Sequence, residues 1–319
     1  MPKISLVVCL HKERDFLERL LQNAEGCYDD LVVVHDGREE GEGSWCHGLP
    51  DSALAIDWAE ISPSVPLPEM FQRNQTPEMP GSLREYVRIK GGRFFEHPRV
   101  GSLEGQSPFA WWAAKHDWIL RLDADEFPSR ELKIWVEQFR TQNEMPDDIS
   151  GFTCIWPLWD GRCARTSRWP NSRIFLFNRR RVQFFGIVEQ VPIPVGRYIP
   201  LPLTLHHQPR RKSHGLGNIL FRRQAYRWRS VIAASLSGSV RSLPRWNYSS
   251  DQWPAVWEKI RKQPLKEAFC HLVFISLWEA KALWRNEGIM NLSMVLGSGI
   301  HHFLFCLQVF FQKNRHFLR

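Results

Sequence analysis

The sequence predicts an α/β protein, a Rossmann-like and mostly parallel sheet flanked by helices, followed by a helical and basic C-terminal extension. Three observations predict it. The chain opens with an apolar run, an amphipathic stretch and a second apolar run; a later apolar run ends abruptly in acids; and beyond Pro209 the character turns basic and helical. A boundary after residue 210 divides the 319 residues into 1–210 and 211–319.

Residues 4–10 are β-branched and continuously apolar, which suits a strand buried on both faces of a parallel sheet. Phe16, Leu17, Leu20, Leu21 and Ala24 then recur at helical spacing, with Gly26 as a stop. Leu31, Val32, Val33 and Val34 give a second strand and complete a βαβ unit. Residues 60–110 are rich in Pro and Gly and predict loop with short elements. Residues 118–122 read as a further strand. Behind it Pro128, Ser129, Arg130 and Glu131 open an amphipathic helix through Leu132, Trp135, Val136 and Phe139. Strand-like runs return at 151–156, 172–177 and 183–188, and helices are expected over 219–234 and 264–284.

With 43% hydrophobic and 24% charged residues the composition is that of a globular protein, which excludes a disordered chain. The 15 Trp and 20 Phe exceed what a plain α/β core needs and point to sugar-stacking surfaces or membrane-interface belts. Seven Cys show no CxxC pair and no regular spacing, and the first apolar run is too short for a cleavable signal; both predict reduced thiols in a cytoplasmic protein. Charge is unevenly divided. Residues 205–319 carry 18 Lys and Arg against 5 Asp and Glu, a net +13, while the first 204 residues carry −5. The basic part therefore suits a polyanion, either nucleic acid or an anionic lipid surface.

In the run from Trp118 to Glu126 an apolar strand leads straight into Asp123, Asp125 and Glu126. Strand alternation puts Asp123 and Asp125 on one face, where two carboxylates repel unless a hard cation such as Mg2+ or Mn2+ lies between them. The same acids also read as a helix-capping cluster before Pro128. A second acid, Asp36, ends the neighbouring strand, where nucleotides bind in parallel sheets. There is no GxGxxG after the first strand and no Walker A sequence, so phosphates need another clamp, and a metal is the remaining one.

These residues carry a resemblance. The opening strand with Glu13, the segment Val32-Val33-Val34-His35-Asp36-Gly37, and residues 118–126 resemble, in order, the first strand, the Asp-Asp-Gly strand and the metal-binding segment of family 2 glycosyltransferases, which have the GT-A fold. Residues 173–179 resemble that family's Arg-Phe-Arg strand, and Gly186, Ile187, Val188 and Glu189 its Gly-Val-His-Glu segment. The likeness covers roughly residues 3 to 210 and is nearest to members that build lipopolysaccharide cores. His35 and Lys12 stand where an acid and an Asn are usual, and no His precedes Glu189.

The resemblance implies an inverting, metal-dependent glycosyltransferase using a nucleotide-diphosphate sugar, with uridine as the expected base, and a saccharide or lipid-linked acceptor in lipopolysaccharide or other cell-surface glycan synthesis. Glu13 and Asp36 would contact base and ribose, and Asp123 and Asp125 would bridge ribose, Mn2+ or Mg2+ and diphosphate. Inversion needs a carboxylate base. Glu189 is the first choice and Glu126 the second, although Glu189 equally reads as a solvated strand-end acid. His207, of the pair His206-His207, is a further metal ligand or a structural imidazole. Arg211, in the run Arg210-Arg211-Lys212, suits the donor diphosphate or is a solvated charge.

The uncharged stretch 289–311, flanked by Lys281, Arg285, Lys313, Arg315 and Arg319, suits a helix lying in an anionic membrane interface, with spanning and simple packing as alternatives. Leu292, Val295, Leu296, Gly299, Phe303, Leu307, Phe310 and Phe311 form its expected apolar face. The protein is thus expected at the inner face of the cytoplasmic membrane, with no nucleic-acid partner. A basic nucleic-acid-binding protein and another metal-dependent, nucleotide-using transferase are the competing classes; the first leaves Asp36, Asp123 and Asp125 without a role.

Overall fold

In the computed structural model, strand β1 (Ile4–Leu10) is buried along its whole length, as an unbroken apolar run requires. The structure describes residues 1–11, 13–37, 56–62, 79–97, 102–142, 145–159, 164–166, 173–208, 216–221, 223–288 and 291–314. Helix α1 (Arg14–Asn23) turns Phe16, Leu17, Leu20 and Leu21 inward. Strand β2 (Asp30–Asp36) then returns parallel to β1, with Leu6 opposite Leu31 and Val8 opposite Val33. The expected βαβ unit is present.

The Pro- and Gly-rich stretch holds more than loop. Ser82 accepts from the Glu85 N–H and caps helix α2 (Leu83–Ile89), while the Glu85 carboxylate accepts from the Gly81 N–H at 2.6 Å. This is close to a capping box, and Ser82-Leu83-Arg84-Glu85 carries its sequence signal. Strand β3 (Arg93–His97) pairs parallel with β2. Helix α3 (Leu103–Ala113), capped by Ser102, is buried on almost every side and holds Pro108 in its middle. It therefore shows neither an amphipathic stripe nor an uninterrupted helical sequence.

Strand β4 (Trp118–Arg121) lies parallel to β1 on its other side. Strand β5 (Glu126–Pro128) leads to helix α4 (Arg130–Arg140), whose cap is the Ser129 hydroxyl accepting from the Leu132 N–H. The acids before Pro128 do not cap this helix. Strands β6 (Ile149–Ile155), β7 (Leu158–Trp159), β8 (Ala164–Arg165), β9 (Arg173–Asn178), β10 (Val182–Phe185), β11 (Ile193–Pro194) and β12 (Arg197–His207) follow. The main sheet has eight strands in the order β3-β2-β1-β4-β9-β6-β12-β5. Its first four strands are parallel, and β9 runs antiparallel to β4 and β6. The class is the predicted one, a mixed α/β sheet flanked by helices.

The chain divides into two units, each built from three stretches of sequence. One comprises Met1–Cys154, Arg173–His206 and Ser242–Ser249; the other Ile155–Ser172, His207–Arg241 and Ser250–Arg319. The sequence placed a single boundary after residue 210. In the first unit, strand β13 (Arg245–Trp246) pairs with β10, and the Asp57 carboxylate accepts from the N–H groups of Asn247 at 2.8 Å and Tyr248 at 3.0 Å. Much of the aromatic excess is core. Trp111 is fully buried against Phe177 and Phe184, each 4.9 Å between ring centres, and Trp118 packs on Phe139 at 4.8 Å.

Gly151 in β6 marks a close approach. A Cβ there would stand 2.5 Å from the Leu176 carbonyl oxygen and 2.7 Å from the Phe177 Cα, both backbone of β9. Gly151→Ala should cost about 1–3 kcal/mol, the usual penalty of overpacking. A lowered urea midpoint with an unchanged slope checks it; an unchanged midpoint would mean that β9 shifts freely.

The second unit contains helices α5 (Leu216–Phe221), α6 (Arg223–Ser237), α7 (Ala255–Lys262), α8 (Pro264–Glu287) and α9 (Leu292–Lys313). Helix α9 is long and apolar enough to cross a membrane, and 44% of its most apolar window is buried inside the structure. Its buried residues include Met294, Val295, Gly297, Ser298, Gly299, Phe305, Cys306 and Val309. The buried side is therefore rotated from the expected apolar face, because α9 lays its small residues against α8: a Cβ on Gly299 would come within 2.7 Å of the Leu272 carbonyl oxygen.

Candidate functional site at the strand ends

Because β2, β1 and β4 are parallel neighbours, their carboxyl ends emerge side by side. The chain leaves β1 for β2 on one side and later adds β4 on the other, and such a reversal opens a crevice at the strand ends.

Asp36, the last residue of β2, is buried, and the Gln106 side-chain amide on α3 donates a short hydrogen bond to its Oδ1. The His11 Nδ1–H donates to the Asp36 carbonyl at 2.9 Å, and the buried His35 Nδ1–H donates to the Gly37 carbonyl at 3.0 Å. Burial holds the His35 imidazole below its usual value. His35 is thus neutral and holds the turn, where the Asp-Asp-Gly pattern has a second acid. Glu13, half-buried at the start of α1, accepts the Leu17 N–H on its carbonyl at 3.0 Å.

Beyond β4 the strand geometry stops. The Glu126 N–H donates to the Asp123 carbonyl at 3.0 Å, and the Asp123 N–H donates to Glu126 Oε2 at 2.9 Å, so residues 123–126 form a turn. Strand alternation therefore does not place Asp123 and Asp125; the turn does. Arg173 at the start of β9 donates to Asp123 Oδ2 at 2.6 Å and to Glu126 Oε2 at 2.9 Å. Burial alone would lower the guanidinium, but the two carboxylates more than offset it and hold Arg173 above its ordinary value. Glu126, with no exposed surface, braces Arg173 and the turn.

Glu104, on the first turn of α3, joins this cluster. Its Oε1 accepts the Glu189 N–H at 3.4 Å. Burial pushes its carboxyl up, Arg121 opposing and Asp123 adding to the effect. Cys9 at the end of β1 reports the same assembly: it is pushed up to about 12 by burial, with Arg121 opposing and Asp123, Asp36 and Glu104 adding. Glu189 itself is exposed with a φ of 68°, a left-handed backbone uncommon outside glycine. The preceding Gly186 lets this loop meet α3, since a Cβ there would lie 2.8 Å from the Gly105 Cα.

The structure thus gathers Asp36, Asp123 and the backbone of Glu189 around Glu104, Gln106, Arg121 and Arg173, four residues to which no such role attaches from sequence alone. Arg121 and Arg173 lay inside the quoted motifs. Glu104 and Gln106 lie in the Pro- and Gly-rich stretch 60–110, where the Ser102 cap is the available signal. His207 belongs to the second unit, its ring stacked on Trp156 at 4.5 Å. Arg211 lies outside the described residues. Among the described residues no three His, Cys, Asp or Glu side chains gather to hold one metal ion.

A carboxyl raised in the folded state binds its proton more readily there than in the unfolded chain. It therefore adds stability in acid, and that gain is lost as pH rises through the raised value. Glu104→Gln should accordingly melt higher than the wild type near pH 8, about the alkaline end of the useful range, and lose that advantage towards about pH 5. Thermal melts across the range check it; a constant difference would place the Glu104 carboxyl in ordinary solvent.

No family model matches the chain, and no curated protein matches it. Among solved structures it is similar to S. aureus TarS, with 9% identity and a TM-score of 0.35 over 97% of this chain and 55% of that one. It is also similar to S. aureus TarS 1–349, with 10% identity, a TM-score of 0.36, and 98% and 92% covered. For TarS 1–349 in complex with UDP the values are 9%, 0.30, 98% and 92%. The chain spans about half the length of the longer TarS chain, 55%.

Proposed function

We propose that the first unit is an inverting glycosyltransferase of the family 2 type that takes a sugar from a nucleotide-diphosphate donor, uridine-linked, and passes it to a saccharide or lipid-linked acceptor in cell-surface glycan synthesis, lipopolysaccharide among them. The observation that carries this reading is the convergence of Asp36, Glu104, Arg121 and Asp123 at the carboxyl ends of three parallel strands. Acids there recognise hydroxyl and amide groups of a nucleoside. The guanidinium of Arg173 holds the Asp123 carboxylate in place.

Asp123 and Asp125 offer hard carboxylate oxygens, and Mg2+ or Mn2+ needs only one or two of these when phosphate oxygens and water complete its shell. The residues fit that ion without a third protein ligand. When bound, it neutralises the departing diphosphate. Asp36 and Glu13 orient the nucleoside and Asp123 the ribose, and a guanidinium such as that of Arg211 suits the diphosphate by its chemistry. Glu189 takes the acceptor proton, Glu104 steadies the Glu189 backbone, and Glu126 acts through Arg173. The protein works at the inner face of the cytoplasmic membrane, where such acceptors are held.

A thermal-shift panel of nucleoside diphosphates with and without Mn2+ tests donor binding, since a ligand of the native state raises its melting temperature. Product analysis tests the reaction: release of nucleoside diphosphate supports glycosyl transfer, and release of pyrophosphate would instead show a nucleotidyltransferase. Glu189→Gln should reduce turnover about a hundredfold while donor binding survives. Unchanged turnover would move the base to another carboxylate.

A further inference from the structure

Helix α8 has two different sides. One packs inward through Ala268, Glu279, Ala282 and Leu283. The opposite side carries Phe269, Val273, Phe274, Leu277, Trp278 and Trp284 in the open, Phe274 being 68% and Trp284 63% exposed. Six large apolar side chains on one helix face exceed the scattered surface hydrophobics of an ordinary soluble protein.

The charges on α8 are sorted in the same way. None of its acids is among the exposed residues: Glu279 is buried, and Glu267 and Glu287 are half-buried, Glu267 3.6 Å from His271 and Glu287 3.6 Å from Arg165 and accepting the Thr166 N–H at 2.7 Å. Every exposed charge on the helix is a cation, namely Lys266, Lys281 and Arg285. Lys281 lies between Trp278 and Trp284 along the exposed side. Lysine is depleted from the cores of protein interfaces. At a bilayer surface, by contrast, its aliphatic stem lies among apolar groups while the ammonium reaches lipid phosphate, and Trp favours the same depth.

We propose that the exposed face of α8 is a docking surface for an anionic lipid bilayer, with α8 lying in the headgroup layer and α9 packed behind it. This relocates membrane contact from 289–311 to the helix before it, and it deepens the peripheral placement given above without resting on the reaction. Aromatic and aliphatic side chains supply the apolar insertion, and Lys266, Lys281 and Arg285 supply attraction to anionic headgroups.

The test is co-sedimentation of the full chain with phosphatidylcholine vesicles, with and without phosphatidylglycerol, in the absence of donor and metal. The wild type should pellet with the anionic vesicles and be released by salt. Phe274→Ser with Trp278→Ser and Trp284→Ser should weaken binding about tenfold or more, with an unchanged circular dichroism spectrum and melting temperature, because all three side chains are exposed. Equal binding of wild type and triple variant, or no binding of the wild type, would overturn the proposal. So would a wild type that is dimeric without lipid and becomes monomeric in the triple variant, which would assign the face to a second copy. Since vesicle binding needs no catalysis, failure here leaves the transferase reading to its own tests.

Discussion

Asp125→Ala is expected to lower kcat/KM by about 10²–10³, because a site that no longer holds the cation lacks the positive charge that would stabilise the departing diphosphate. The fold should survive. Asp125 is partly exposed on a turn held by the backbone and by Glu126, and its truncation removes no core volume. The loss should appear with donor and Mn2+ together: nucleoside diphosphate binding should cease to respond to the cation, while binding without cation changes little. Titration of donor with and without Mn2+ reads this directly. Wild-type metal dependence in the variant would remove Asp125 from the site and leave Asp123 without a partner for an ion.

Arg173→Ala should act first on the fold. It strips a buried guanidinium from Asp123 and from the fully buried Glu126, leaving two carboxylates facing one another. Breaking a buried pair by removing one partner costs about 3–5 kcal/mol. Arg173→Lys keeps the charge but reaches both carboxylates less well, so it should lie between wild type and Ala. Urea unfolding of the three proteins gives the order. If Arg173→Ala were as stable as wild type, the turn at 123–126 would have to be held by its backbone alone. The double change Arg173→Met with Glu126→Leu should recover part of the loss, because a neutral pair removes the uncompensated charge.

The parts legible in the sequence are those whose signal is local. Ile4–Leu10 and Asp30–Asp36 announce themselves by unbroken apolar runs, and Arg130–Arg140 by the spacing of Leu132, Val136 and Phe139. The positions of Asp36 and Asp123 at the strand ends were legible because these residues end such runs. The partners of these acids could not. Arg173 is 50 residues from Asp123 and Gln106 is 70 from Asp36, and nothing in one sequence records which distant side chain meets which.

Helix α3 was hidden for another reason: a helix buried all round has no polar face to set its period, and Pro108 argues against it locally. The left-handed backbone of Glu189 carries no sequence mark, since a Glu there gives no hint of positive φ. The aromatic count was visible but ambiguous. Trp58, Trp111 and Trp118 proved to be core, whereas Trp278 and Trp284 are exposed.

The return of residues 242–249 to the first unit sets a timetable for biosynthesis. When His206 leaves the ribosome, strand β10 still lacks the edge that Trp246 will pair with, the Arg179 carbonyl lacks the Trp246 indole N–H that donates to it at 2.7 Å, and Asp57 lacks two of its donors. About 40 more residues must emerge first, roughly 2–8 s at ordinary elongation rates. During that interval the nascent sheet is complete in its main strands but open beside Trp111 and Phe184, where the Trp246 ring will later pack. A chain released at residue 210 would remain arrested at that stage, a natural substrate for chaperones.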